Sequence, residues 1–125
     1  KKLFNSDIKD FITKAEIIQN AKVINNNICL AYTKTETDNI NIVIAQAADE
    51  LLNIKEVEAS FVLARKDDRV FISARSLGNI NVHVLMENLG GGGHRDMAGA
   101  QLDTSLEKAY EMVKDTIQTY IKEEE

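Results

Sequence analysis

The sequence predicts a layered α/β domain in which helices flank a mixed β-sheet of about five strands, in the order αββαββαβα. Two observations predict this class. Apolar residues recur at helical spacing in four segments, and short runs rich in β-branched residues lie between these segments. Asn, Asp and Gly separate the runs, and the chain contains no proline. The 125 residues fit one domain of ordinary size.

The first predicted element is a helix from about Ser6 to Gln19. It is indicated by four apolar residues at helical spacing. These residues are Ile8, Phe11, Ile12 and Ala15. The apolar stretches Ala21–Ile24 and Ile28–Tyr32 follow and predict two strands. Because asparagine tolerates the left-handed backbone, the segment Asn25–Asn27 between them predicts a hairpin turn.

The second helix is predicted by the clearest apolar stripe of the chain, with Thr37 or Asp38 at its N-cap. The stripe consists of Ile40, Val43, Ile44, Ala47, Ala48, Leu51 and Leu52. Two β-rich runs, Ala59–Lys66 and Val70–Arg75, then flank Asp67 and Asp68. This arrangement predicts a second hairpin, in which the two aspartates supply the turn.

The last third of the chain predicts a short helix, a strand and a long helix. The short helix is indicated by Val82, Leu85, Met86 and Leu89. Gly90 follows at a C′ position, which ends the helix. The run Met97–Leu102 predicts the fifth strand, and Thr104–Glu107 has the form of a capping box that begins the final helix.

Composition limits the classes of function. Fifteen basic and twenty acidic residues give a formal net charge of −5, which argues against broad binding to long nucleic acid. A small anionic ligand remains compatible, because a pocket needs only local positive potential. The single cysteine, Cys29, excludes an internal disulfide and favours a reducing, cytosolic compartment. The chain begins without methionine, which indicates that it is part of a longer protein.

A glycine-rich segment is the strongest candidate for chemistry. Four of the six glycines stand together at Gly90–Gly93, and His94 follows directly. Glycines let a ligand approach the backbone, and successive N–H groups in a turn can converge on an anion. Together with the planar guanidinium of Arg75, Gly91–Gly93 and His94 predict a phosphate-sized cradle. The alternative is a flexible connector that ends in a surface histidine.

The stretch ISARSLGNINVHVLMENLGGGGHRDMAGAQL, from Ile72 to Leu102, closely resembles the C-terminal DHH-associated domain of DHH-family phosphoesterases. Within that family it is most similar to the branch of bacterial membrane-anchored cyclic di-AMP phosphodiesterases. The resemblance implies that residues 1–125 are the substrate-binding domain at the C-terminal end of a longer enzyme. It also implies a cytoplasmic domain of a membrane-anchored protein.

The resemblance implies a division of labour. An N-terminal DHH domain outside this chain would hold two manganese ions and perform the hydrolysis, so the chain itself would carry no cofactor. Gly91, Gly92, Gly93 and His94 would contact the phosphate and sugar of the substrate. Arg75 and Ser76 would assist, and Asn81 is a weaker candidate for the same surface. The implied partners are cyclic di-AMP or a short linear dinucleotide, the DHH domain and a second copy of the chain.

We predict that the chain is inactive alone, with neither catalytic nor metal-binding residues of its own. Two-metal hydrolysis needs several carboxylates and imidazoles, whereas this chain has two histidines and no Asp-His-His motif. One of them, His83, is predicted to be a helix-surface residue. Cys29 lies in an apolar run and is predicted to be a buried structural thiol.

The alternative function is a nucleic-acid-binding domain of a nanoRNA-degrading oligoribonuclease or of a RecJ-type exonuclease. A RecJ-type role would favour a basic groove for single strands, against which the acidic composition argues. The related C-terminal domain of alanyl-tRNA synthetase is disfavoured by the segment S-A-R-S-L-G-x-I-N-V. The sequence leaves the preference for cyclic or linear dinucleotides open.

Overall fold

Residues 5–124, the part of the chain that the computed structural model describes, form a six-stranded sheet with helices on both faces. In chain order the elements are α1 (Asn5–Gln19), β1 (Lys22–Ile24), β2 (Ile28–Thr33), α2 (Ile40–Leu51), β3 (Ala59–Lys66), β4 (Arg69–Ser76), α3 (Val82–Glu87), β5 (Gly92–His94), β6 (Met97–Leu102) and α4 (Leu106–Glu124). The predicted α/β class is confirmed. Among residues 5–124, no helix has the length and apolar content that crossing a membrane requires.

The sheet is mixed, with strand order β1-β2-β3-β4-β6-β5. Strand β2 pairs in parallel with β3, and the other neighbouring strands in residues 5–124 are antiparallel. Helix α2 makes the crossover that a parallel pair needs. The hairpin from β5 to β6 therefore lies at one margin of the sheet, with β5 as the edge strand.

Two hydrophobic clusters cover the two faces of the sheet. On one face, Val62 and Ala64 of β3 pack with residues of α1 and α2. On the other face, Phe61 and Leu63 of β3 pack with residues of α3 and α4. Strand β3 is thus buried on both sides, which fits its position in the middle of the sheet.

Strand β5 is a correction to the predicted order, which held five strands and a glycine loop. Gly92–His94 pair with Met97–Gly99 of β6. Glycine has a low intrinsic preference for strands, so the sequence pattern does not predict this one. It forms because a two-residue turn folds it back onto β6, which supplies the ladder partners.

The predicted turns and the end of α3 are confirmed. Asn25 and Asn26 have φ of 54° and 69°, and Asp67 and Asp68 have φ of 52° and 68°. Gly90, with φ of 86°, lies at the end of α3. Its N–H donates to the carbonyl of Glu87, and the N–H of the following residue donates to that of Met86, which are the two bonds of a Schellman motif.

Two predicted helix starts are wrong by one or two residues. The N-cap of α2 is Asn39 rather than Thr37 or Asp38, and it makes no side-chain cap because its amide donates to Asp10. At α4 the hydroxyl of Ser105 accepts from the N–H of Lys108. This puts the cap one residue later than the predicted capping box, so a lysine occupies the position of the reciprocal glutamate.

Candidate binding face of the sheet

The strand register brings Arg75 and His94 to the same face of the sheet. Arg75 of β4 pairs with Met97 of β6, and Met97 pairs with His94 of β5. Paired residues of neighbouring strands project to the same side. The two candidate residues are therefore separated by two strand spacings, about 10 Å between backbones. They flank Met97, which is 51% exposed.

This side of the sheet is the one that carries α2, but α2 packs against β3 and β4 and leaves the margin accessible. We call this margin the open face; it bears Arg75, Met97, Gly99, Gly92 and His94. Beside it runs a groove of about 530 Å³, a volume within the range of small-molecule sites. Its lining includes Asn41, Phe71, Ser73, Gly90, Gly91, Gly99 and Gln101.

Three of the four clustered glycines are explained by the protein itself. Gly90 needs its positive φ to end α3. A Cβ on Gly91 would lie 2.0 Å from the carbonyl oxygen of Gly99, and one on Gly93 would lie 2.5 Å from the backbone of Met97 and Ala98. These two positions therefore exclude side chains, because β6 packs directly against them.

Gly92 is different from its neighbours. A Cβ there would meet no atom of residues 5–124 within 4 Å, and its φ lies outside the positive range. Its strand partner is Gly99, so two facing positions on the open face carry no side chain. The fold alone gives no reason for a glycine at position 92.

The backbone of β5 lies at the free edge of the sheet. His94 and Met97 close a two-residue turn, and such a pair exchanges both hydrogen bonds in an antiparallel hairpin. In a regular ladder the N–H of the residue before such a pair points away from the neighbouring strand. Gly93 holds that place, with φ of 145°, a backbone conformation that favours glycine. The segment thus offers single donors along an edge.

Arg75 is held in place by two contacts. Its Nε donates to Oδ1 of Asp49 on α2 at 2.9 Å, and its Nη1 donates to the carbonyl of Ala74 at 3.0 Å. Its side chain is 12% exposed and that of Asp49 58% exposed. A guanidinium has five N–H donors. Within residues 5–124, the side chain of Arg75 makes the two hydrogen bonds to Asp49 and Ala74. The other N–H donors of its guanidinium can therefore bind an anion.

Two other predicted site residues are engaged in the fold. Ser76 follows Arg75 in β4 and therefore points to the opposite face, where it is buried and its hydroxyl accepts from the N–H of Gly78. Asn81 is the N-cap of α3, and its side-chain oxygen accepts from the N–H groups of His83 and Val84. The structure does not bring these two side chains to the open face.

Arg95 received no role from the sequence, yet it anchors the hairpin. Its Nε donates to the carbonyl of Gly78 at 2.6 Å, and its own carbonyl accepts from the N–H of Val82. The carbonyl of Asp96 accepts from the N–H of Ser76. The tip of the β5–β6 hairpin is thereby fixed to the segment before α3. These contacts are tertiary, so the local sequence carries no signal for them.

The predictions for other reactive groups are confirmed where they concern burial and position. Cys29 is 1% exposed, and burial raises the pKa of its thiol. His83 lies on the surface of α3, with its Nε2 3.5 Å from Oε2 of Glu87. On another part of the surface, hydrogen bonds from Asn79 and Asn27 lower the pKa of Glu58. Within residues 5–124, no three His, Cys, Asp or Glu side chains are grouped so that they could hold a metal ion.

The chain is similar to cyclic di-AMP phosphodiesterases. It is 40% identical over 126 residues to the cyclic-di-AMP phosphodiesterase GdpP of Bacillus subtilis, covering 98% of this chain and 19% of the relative. It is 35% identical to the cyclic-di-AMP phosphodiesterase PdeA of Listeria monocytogenes, covering 99% and 19%. The chain thus spans about a fifth of the length of these curated relatives.

Structural similarity supports the same fold. An exopolyphosphatase-related protein from Bacteroides fragilis superposes with a TM-score of 0.79 at 22% identity, covering 95% of this chain and 36% of that one. The model of the DHHA1 domain matches residues 25–123, which include the whole β5–β6 hairpin and all the candidate site residues. The chain therefore belongs to the DHHA1 domain family.

Proposed function

We propose that this chain is the substrate-binding domain of a longer cyclic di-AMP phosphodiesterase, and that it holds a nucleotide phosphate on the open face. Gly92, Gly93 and His94 contact the phosphate and sugar, Gly91 lines the adjoining groove because its N–H donates to Met86, and Arg75 contacts the ligand from β4. The observation that carries the proposal is Gly92, a glycine that neither backbone conformation nor internal packing requires. A ligand that closely approaches the backbone would explain the glycine at position 92, because any side chain there would block it.

Charge supports the same location. Arg75 brings a guanidinium to the open face of a chain whose formal net charge is −5, and His94 adds an imidazole on the same face. A guanidinium suits a phosphate because its planar fork matches the phosphate oxygens. Asp49 neutralises part of this charge but occupies a single nitrogen of Arg75. The spacing of Arg75 and His94 suits a ligand that extends across both strands.

Hydrolysis belongs to another part of the proposed enzyme. Within residues 5–124 the donor groups do not fit a pair of manganese ions, since no three candidate ligands are close together. We therefore assign the two metals to a DHH domain of the longer polypeptide and derive no chemical step here. Attachment of that polypeptide to a membrane, with this domain on the cytoplasmic side, is part of the same proposal.

Titration of the chain with cyclic di-AMP tests the binding face. Gly92→Ala keeps the melting temperature and weakens binding, because its Cβ projects into ligand space. His94→Ala loses a contact to phosphate worth roughly 1.5–3 kcal/mol, or about ten- to a hundredfold in affinity. Lys108→Ala, an exposed change on α4, is the control and binds as wild type does.

A second pair of measurements separates binding from folding. Gly93→Ala is the matched backbone control, because its Cβ clashes with β6 and lowers the melting temperature. Amide shifts on titration should centre on Gly91–His94. If they centre instead on the depression of about 280 Å³ between Tyr32 and Tyr110, or if Gly92→Ala binds like wild type, the proposed site is wrong. Parallel titration with a linear dinucleotide gives the preference between the two substrates.

A further inference from the structure

Helix α1 turns its apolar stripe away from its own domain. The stripe that predicts this helix is Ile8, Phe11, Ile12 and Ala15, and all four residues are exposed. The exposed fractions of the first three are 44%, 70% and 51%. An apolar stripe on a helix ordinarily faces the core. Here it faces outwards along two turns.

The opposite side of α1 fixes this orientation. Thr13 and Ile17 are 1% and 0% exposed and pack against the domain. Asp10 accepts a hydrogen bond from the amide of Asn39 at 3.1 Å, and Lys14 pairs with Glu50 at 2.9 Å. The helix is therefore tied to α2 through a partly polar seam, and rotating the stripe inwards would break these contacts.

The stripe adjoins a depression, so the outward surface has shape as well as apolar character. A hollow of about 350 Å³ is lined by Phe11, Lys14, Ala15, Ile18, Gln19 and Glu50. Scattered apolar residues on a surface need no explanation, but a contiguous stripe beside a hollow is typical of an interaction site.

The comparisons indicate where the partner lies. The DHHA1 model begins at residue 25, after α1, so this helix is outside the family domain as that model defines it. GdpP and PdeA nevertheless match 98% and 99% of the chain, which must include most of α1. In both relatives, four-fifths of the length lies outside the matched part. These relatives thus carry the helix as part of a much longer polypeptide.

A second copy of the chain fits the stripe poorly. An antiparallel pair of α1 helices centred on Phe11 and Ile12 would set Lys9 against Lys14 and Asp7 against Glu16, so like charges would face each other. One stripe of four side chains is also small beside the roughly 1,200–2,000 Å² that a stable complex of separate chains buries. A tethered partner needs less area, because its effective concentration is on the order of millimolar.

We propose that the α1 stripe docks onto an apolar surface of another domain of the same, longer polypeptide. This inference rests on the part of the proposed function that places the chain in such a polypeptide, and it is independent of the nucleotide site. The stripe lies on α1, whereas the open face lies at the β5 margin. Docking through α1 would hold the domain in a fixed orientation and leave the open face accessible.

Thiol labelling compares the two forms of the protein. Ala15→Cys puts a thiol in the stripe, and Glu16→Cys puts one on the flank of the same helix as the control. Cys29 competes little, because it is buried and its pKa is raised by burial. A patch with a Kd of about 1 mM is roughly nine-tenths docked at an effective concentration of about 10 mM. Labelling at position 15 therefore slows about tenfold in the full-length protein, read by peptide mass spectrometry, while position 16 is unchanged.

The outcomes are distinct. Adding Phe11→Ser to Ala15→Cys restores fast labelling in the full-length protein, while the melting temperature of the isolated chain stays the same because Phe11 is exposed. Equal labelling of Ala15→Cys in both forms overturns the inference. Concentration-dependent dimerisation of the isolated chain, abolished by Phe11→Glu, overturns it in favour of a second copy. Cyclic di-AMP hydrolysis by the full-length protein is scored separately, so a loss of the proposed function is recognised independently of the labelling.

Discussion

Arg75 shows how one side chain can serve both the fold and a ligand. It is a candidate ligand contact, yet its side chain is only 12% exposed and paired with Asp49. Most of its side chain is buried, so truncation removes packing contact as well as charge. An effect on stability is therefore no argument against a role in binding.

We expect Arg75→Ala to lower the free energy of unfolding by about 1 kcal/mol and to weaken cyclic di-AMP binding about ten- to a hundredfold. Asp49→Ala is the matched control, because it breaks the same ion pair and leaves the guanidinium on the open face. Chemical denaturation and calorimetric titration of both variants give the two quantities. Equal losses of affinity in Arg75→Ala and Asp49→Ala would mean that Arg75 acts through the fold alone.

At the scale of single elements, α3 depends on its N-cap. Asn81 satisfies two of its first N–H groups, and the N–H of Asn81 itself donates to the hydroxyl of Tyr120 at 2.9 Å. A six-residue helix has few internal hydrogen bonds, so its capping residue matters more than in a long helix. The side chain of Asn81 has a clear structural task, whatever contact it makes with substrate.

Asn81→Ala should destabilise the chain by about 0.5–2 kcal/mol, the usual effect of losing a cap. Asn81→Asp retains an oxygen acceptor at the same place and should keep most of the stability. Thermal unfolding of the two variants measures this, and nucleotide titration follows on the folded protein. If Asn81→Ala is as stable as the wild type but binds nucleotide weakly, the main role of the residue is to contact the ligand and not to cap α3.

The elements were predictable to different degrees, and the reason is physical. Gly90 was recognised at the end of α3 because a positive φ is a local property of one residue. Strand β5 was missed because its pairing comes from β6 and not from its own composition. Periodicity in α1 predicted a helix, but a period cannot tell which face is covered, and the stripe proved to be exposed.

The candidate site follows the same division. The family motif pointed to Gly91–His94 and to Arg75. The strand register then brings Arg75 and His94 to one face of the sheet. The orientation of Ser76 could have been anticipated from strand alternation, since neighbours in a strand point to opposite faces. The ion pair with Asp49 could not, because it depends on how α2 packs over the sheet.

For the molecule as a whole, two carboxylates are expected to make the stability of the fold fall at low pH. Hydrogen bonds from Asn79 and Asn27 lower the pKa of Glu58, and hydrogen bonding and charge from Arg69 lower the pKa of Asp103. A carboxylate with a lowered pKa stabilises the fold above its unfolded pKa. That contribution is lost as the pH falls through the folded pKa.

We therefore expect the melting temperature to fall as the pH drops below about 4.3, the ordinary value for glutamate. Glu58→Gln and Asp103→Asn should each reduce this fall, because the substituted residue no longer titrates. Lys108→Ala serves as an unrelated surface control. A melting temperature that depends on pH equally in the wild type and in both variants would contradict the assignment.

This chain should bind nucleotide without cleaving it. With manganese and cyclic di-AMP, we expect no linear dinucleotide above background, because two-metal hydrolysis requires ions about 3.5–4 Å apart held by several converging ligands. The same domain within its full-length polypeptide should support turnover. Chromatography of the reaction products checks both statements, and manganese-dependent release by this chain alone would refute the first.

The shortness of the two marginal strands has a consequence for solubility. Strands β1 and β5 have three residues each, and they form the two margins of the sheet in residues 5–124. A long, flat edge would recruit the strands of other molecules and template aggregation. An edge of three residues, two of them glycine, offers too few donors in line for that. The molecule can therefore leave backbone N–H groups exposed to a small solute, while the edge is too short to pair with a strand of another polypeptide.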